Sequence, residues 1–303
     1  MHNALLYILT VLIWGSTWYA VTLQLGVVHP VVSVTYRFAL AAILLFIYTY
    51  GLKKNRQYNF TIKQHGFIAL LGLCLFCLNY ILFYFGTQYL TSGLVAILFS
   101  TITLMNIFNQ ALFFKIKVKK QVAFGSFIGL FGIVFVFWPE ISNLNLGDNI
   151  VKGMLICVLA SYSASLGNMV SIKNGKNNIP VLEANTFGMA YGALFSFILA
   201  ALIGAPFTFD TSLPYVSSML YLACFGSAIA FGCYLTLMKN IGADKAAYST
   251  VLFPIVALTI STFLEGYVWT PLSLFGVMLA LIGNVIAMID PKQLINKVTP
   301  RTK

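Results

Sequence analysis

Apolar residues run through this chain in stretches of about twenty, the length that one helix needs to cross a hydrocarbon core about 30 Å thick. Short polar or charged connections separate them. Ten such stretches predict ten membrane helices, over residues 4–23, 31–50, 66–85, 93–114, 122–138, 151–171, 181–203, 215–237, 246–264 and 272–289. The fourth and fifth have the least defined boundary. The connections leave no room for a water-soluble domain, so the predicted fold is an all-α polytopic membrane bundle.

Composition agrees: 60% of the 303 residues are hydrophobic and 8% are charged, against about 25% charged in a soluble domain. The net charge of +11 is no nucleic-acid signature, because it is distributed in small clusters between the apolar runs, where positive charge sets membrane orientation. With the N-terminus in the cytoplasm, sixteen of the eighteen basic residues fall on the cytoplasmic side. They are Lys53, Lys54, Arg56 and Lys63; Lys115, Lys117, Lys119 and Lys120; Lys173 and Lys176; Lys239 and Lys245; and Lys292, Lys297, Arg301 and Lys303. Lys152 alone falls in an external segment, and Arg37 lies within a span. Both termini are expected in the cytoplasm, with residues 290–303 as a tail. The first span, with Trp14, Trp18 and Tyr19, lacks the basic leader and small-residue cleavage site of a signal peptide and is expected to be retained.

The pattern repeats. Pro30 is echoed by Pro180, and Gly125 and Gly132 by Gly276 and Gly283, at an offset of 150 to 151 residues. Two units, 4–138 and 151–289, each hold five helices. An odd number forces the second copy to enter the membrane from the opposite side, so the repeats are expected to be inverted.

Arg37 is the ionisable side chain placed clearly inside a span, where a cation costs several kcal/mol unless it pairs or meets water. It could contact a substrate carboxylate, snorkel to the surface or pair structurally. Glu265, at similar depth, is a candidate ion-pair partner, and no other acid is expected near the membrane. Uncharged polar residues form helical-spaced faces: Ser100, Thr103, Asn106 and Gln110 on the fourth span, and Ser161, Ser165 and Asn168 on the sixth. Such faces either join helices or line a cavity. Trp14 and Trp18, and Tyr80 and Tyr84 beside Asn79, are each one turn apart. Trp14 and Tyr80 are too far from the interfaces for the usual aromatic belt. The candidate solute-binding set is therefore Trp14, Trp18, Arg37, Asn79, Tyr80, Tyr84, Thr103, Asn106, Ser165 and Asn168. Gly125, Gly129, Gly132, Gly276 and Gly283 are expected to pack the fifth and tenth spans against the bundle or against a second subunit in a homodimer.

The residues exclude other classes. The five cysteines lie in apolar stretches, and the Cys74-x-x-Cys77 pair has no histidine or acid in its span, which argues against a disulfide framework or metal site. There is no HExxH, no intramembrane aspartate pair and no nucleophile with a histidine base, so no enzyme is expected. No P-loop is present, and no cofactor is called for.

The motifs Trp14-Gly15-Ser16, Pro30 with Arg37, Tyr84-Phe85-Gly86, Thr91-Ser92-Gly93, Ser163 to Asn168, Pro254, Glu265, Gly276 and Gly283, in this order on a ten-span frame, resemble the EamA-type branch of the drug/metabolite transporter superfamily. That resemblance implies two inverted five-helix repeats with a solute cavity between them. It also implies a bacterial inner-membrane carrier that exports or exchanges amino acids or related neutral or zwitterionic metabolites. Uptake and drug or quaternary-amine efflux are the alternatives. The chain departs from the family pattern at Lys115, where an acid is usual, and at Thr103, the counterpart of Pro254. Arg37 has Phe187 as its counterpart.

Overall fold

The computed structural model describes residues 2–52, 59–118, 120–138, 149–241, 246 and 249–288. Its described residues form ten helices: α1 (His2–Thr22), α2 (Pro30–Gly51), α3 (Ile62–Gly86), α4 (Ser92–Phe114), α5 (Lys120–Val136), α6 (Asn149–Lys176), α7 (Val181–Leu202), α8 (Leu213–Ile241), α9 (Ser249–Leu264) and α10 (Pro271–Met288). Seven are long and apolar enough to cross a membrane, while α5, α9 and α10 are shorter apolar helices. The tail at 290–303, Glu140, Asp148 and several of the basic residues lie outside the described residues.

Local chemistry sets the ends. Before α3, Thr61 and Gln64 form a reciprocal capping box, which satisfies two orphan N–H groups and starts the helix four residues before the expected 66. α6 runs past its apolar part to Lys173 and Lys176, cations suited to the negative end of a helix. Lys176 Nζ sits 4.2 Å from the centre of the Phe114 ring. α4 stops at Lys115, whose φ of 56° is left-handed.

The main contacts of the packing follow a two-fold pattern. α2 lies against α7, α4 against α9 and α5 against α10, each helix on its own counterpart. Three further sets of contacts come in mirrored couples: α1 with α9 and α6 with α4; α3 with α6 and α8 with α1; α3 with α7 and α8 with α2. An irregularity repeats as well. Gly72–Leu78 in α3 and Leu222–Ile229 in α8 both wind as π-helix, a wider turn found mostly as bulges at functional places.

The glycines of α5 and α10 meet each other. A Cβ on Gly132 would lie 2.3 Å from the Ala280 nitrogen, and one on Gly125 would lie 2.6 Å from the Ala287 nitrogen and the Gly283 oxygen. Only glycine permits backbones this close. Phenylalanines Phe124, Phe127, Phe131 and Phe275 are exposed on these two helices, as expected of side chains that meet lipid tails.

Two apolar clusters form the interior. One gathers Val31, Val34, Phe38, Phe76, Tyr84 and Tyr215, and the other Phe83, Val95, Leu98, Cys157 and Leu258. A cavity opens where the two meet.

Candidate functional site

The cavity has a volume of about 500 Å³ and is walled by side chains from both halves. Nine of the ten candidate residues line it: Trp14, Trp18, Arg37, Asn79, Tyr80, Tyr84, Thr103, Asn106 and Asn168. Ser165 lies outside the lining. It is buried and accepts a hydrogen bond from Asn109 Nδ2 at 2.9 Å, tying α6 to α4. The polar faces thus divide their work. Thr103, Asn106 and Gln110 line the cavity, whereas Ser100 donates to the Ile97 carbonyl and Ser161 to those of Leu98 and Cys157.

Trp14 is fixed at the centre of an aromatic wall. Its Nε1 donates to the Gly226 carbonyl at 2.9 Å, inside the π-helical turn of α8. Its ring meets Phe231, Tyr234 and Phe253 at centroid distances of 5.1, 5.3 and 5.5 Å. Trp18 packs on Phe83 and Phe99 at 5.0 and 5.1 Å. Opposite, Asn168 Nδ2 donates to Asn106 Oδ1 at 3.2 Å, which aligns two amides of the lining.

Arg37 is 2% exposed. Its guanidinium carbon lies 4.5 Å from the centre of the Tyr80 ring, a cation–π contact of a buried side chain. The expected pairing with Glu265 is not what the structure holds. The Glu265 carboxylate, just past the end of α9, accepts from the Ser92 backbone N–H at 3.0 and 3.1 Å and from the Ser92 hydroxyl. The first N–H groups of a helix lack partners within it, so a carboxylate beside the start of α4 is drawn to them. Arg37 Nε and Nη1 and the Tyr84 hydroxyl remain without hydrogen-bond partners among the described residues.

Several residues had no role in the sequence. Glu183, in the first turn of α7, is 1% exposed, so an acid does occur within a helix. It lies outside the cavity lining. Phe231, Tyr234 and Phe253 complete the aromatic wall, and the repeat offset was the signal that could have found them. At 150 residues Tyr84 maps to Tyr234, Trp14 to Ala164 and Trp18 to Asn168; at 151, Tyr80 maps to Phe231. All eight line the cavity, and Phe253 stands next to Pro254, the counterpart of Thr103. Arg37 breaks the symmetry, since its counterpart Phe187 does not.

Residues 2–138 and 151–289 each match the model of the EamA-like transporter family. The chain belongs to this family. As an EamA-like protein of the drug/metabolite transporter superfamily it is a multi-pass membrane transporter and not an enzyme, and its two matched units correspond to the inverted halves. Similar proteins include the uncharacterized inner membrane transporter YedA of Escherichia coli, 28% identical with 92% of this chain and 90% of that protein covered. The uncharacterized transporter YoaV of Bacillus subtilis is 26% identical, with 85% and 87% covered. Protein PagO of Salmonella typhimurium is 24% identical, with 94% and 92% covered. A solved crystal structure of a 14% identical protein superposes with a TM-score of 0.68 over 96% of this chain and 98% of the other, which shows a shared fold alone.

Proposed function

We propose that this EamA-like transporter exports or exchanges small organic metabolites across the bacterial inner membrane, amino acids or related carboxylates with an apolar or aromatic body. The observation that carries the proposal is the cavity between the halves: rings of Trp14, Trp18, Tyr80, Phe231 and Phe253 for the body, amides of Asn106 and Asn168 for polar groups, and Arg37 for a carboxylate. Apolar walls with a few placed polar groups are the usual make-up of small-solute sites. No carboxylate or histidine occurs among the described lining residues, which favours exchange or facilitated movement over a proton relay through the wall.

The test is solute counterflow in proteoliposomes. Saturable flux is expected for the parent, with Trp14→Ala and Tyr80→Ala lowering flux about tenfold or more, since each removes one wall of the site. Normal transport by both variants, correctly folded, would refute the assignment of this cavity. Basic-residue placement favours cytoplasmic termini. A reporter at the C-terminus that is active only in the periplasm should therefore be silent. A homodimer through α5 and α10 would have to rest on their phenylalanine faces, because their glycine faces hold each other.

A further inference from the structure

Resting on that reading, the cavity wall indicates the charge of the solute. Five polar atoms of lining residues are buried without a hydrogen-bond partner among the described residues: Trp18 Nε1, Arg37 Nε, Arg37 Nη1, Asn79 Oδ1 and the Tyr84 hydroxyl. Four of the five can donate. Indole and guanidinium nitrogens do nothing else, and a phenol can do either; only Asn79 Oδ1 is an obligate acceptor. The residues that carry them are at most 4% exposed for Arg37, Asn79 and Tyr84. A buried donor left unmade is costly, the more so when charged.

We propose that these atoms form an anion subsite, and that the solute is bound as a monoanion, a carboxylate with an apolar body, in preference to the zwitterion with the same body. Arg37 supplies the countercharge, held in place by the Tyr80 ring beneath it. Trp18 Nε1 and the Tyr84 hydroxyl supply neutral donors to the same carboxylate. Tyr84 lies within reach of the Arg37 guanidinium, so its oxygen can face the cation while its O–H is left to donate to the solute; a Cβ added at Gly226 would clash with Thr17 Cγ2 at 2.8 Å and only touch Arg37 Nη2 at 3.7 Å. A zwitterion brings an ammonium group as well. That group carries three donors and one positive charge into a cavity whose described lining holds one cation and no carboxylate. The described wall offers that ammonium ring faces and amide oxygens but no opposite charge to offset its loss of water, while removing a carboxylate is compensated by Arg37.

Two probe sets with matched bodies test this on the purified full-length protein, by direct binding and by counterflow in proteoliposomes. One is hydrocinnamate, phenylalanine and phenethylamine; the other is isocaproate, leucine and isoamylamine. In at least one set the acid is expected to bind about tenfold or more tightly than the amino acid, with the amine bound most weakly. Tyr84→Phe should weaken the acid about three- to tenfold and leave the amine unchanged. Arg37→Gln should abolish the preference for the acid, and Arg37→Lys should retain part of it. Equal or tighter binding of the amino acid in every set that binds would overturn the inference while leaving the carrier reading intact. A preference for the acid that survives both Arg37→Gln and Tyr84→Phe would overturn the subsite. If no probe of either set binds or is carried, the solute-cavity reading falls, and this inference with it.

Discussion

At the scale of single residues, the clearest lesson is that depth does not establish contact. Glu265 and Arg37 lie at comparable depth along the chain, and pairing them was a natural expectation. Two stronger local demands separate them. The start of α4 presents N–H groups with no partner inside the helix, and Glu265 meets them at Ser92; Arg37 turns to the Tyr80 face and the cavity. Glu265→Ala should therefore cost about 1–3 kcal/mol, read as a lower apparent thermal midpoint of the detergent-purified protein, because it leaves the Ser92 donors unmatched. Glu265→Gln should recover part of the loss, since an amide oxygen still accepts. An alanine variant as stable as the parent would show that the cap contributes nothing. Glu183 was illegible for a related reason: its place in the first turn of α7, among the capping positions, resembles an exposed helix start, and only tertiary packing buries it.

Among the elements, the ten helices were legible because a long apolar run has few alternative structures. Their internal irregularities were not. Neither of the π-helical turns in α3 and α8 has a composition that distinguishes it from ordinary apolar helix: Gly72–Leu78 is glycine, leucine, phenylalanine and cysteine, and Leu222–Ile229 is similar. Both acquire their geometry from neighbours, with Ser163 Oγ donating to the Cys74 carbonyl at 2.8 Å and Trp14 Nε1 to that of Gly226. The glycine pattern was legible as a packing signal, yet the sequence could not say which glycines are in tight contact. Gly132→Ala should destabilise the protein by about 1–3 kcal/mol, because its methyl group would press on the backbone of α10. Gly129→Ala should change stability by less than about 0.5 kcal/mol, since the nearest atom to its added carbon is 3.8 Å away. Comparing the thermal unfolding of the two variants decides it; equal effects would mean the helices separate readily.

In the whole molecule, the two-fold frame was readable from the constant offset, but most of the second-half wall was not, because its aromatic residues look like ordinary lipid-facing or core positions. Phe231, Tyr234 and Phe253 take on meaning only when folded against Trp14. The frame is symmetric and the charge is not. Arg37 stands in the first half with phenylalanine as its counterpart, so a solute anchored there has one end of the cavity that differs chemically from the other.

The meeting of α5 with α10, and of α2 with α7 and α4 with α9, is the contact that identical partners make in a dimer, here carried within one polypeptide. Each half presents to the other a surface complementary to itself, so a break within residues 139–148 leaves these contacting faces intact. Divided within that segment and co-expressed, the two pieces should find each other in the membrane and co-purify as a working transporter. Failure of the pieces to associate, with each one present in the membrane, would show that the link does more than tether.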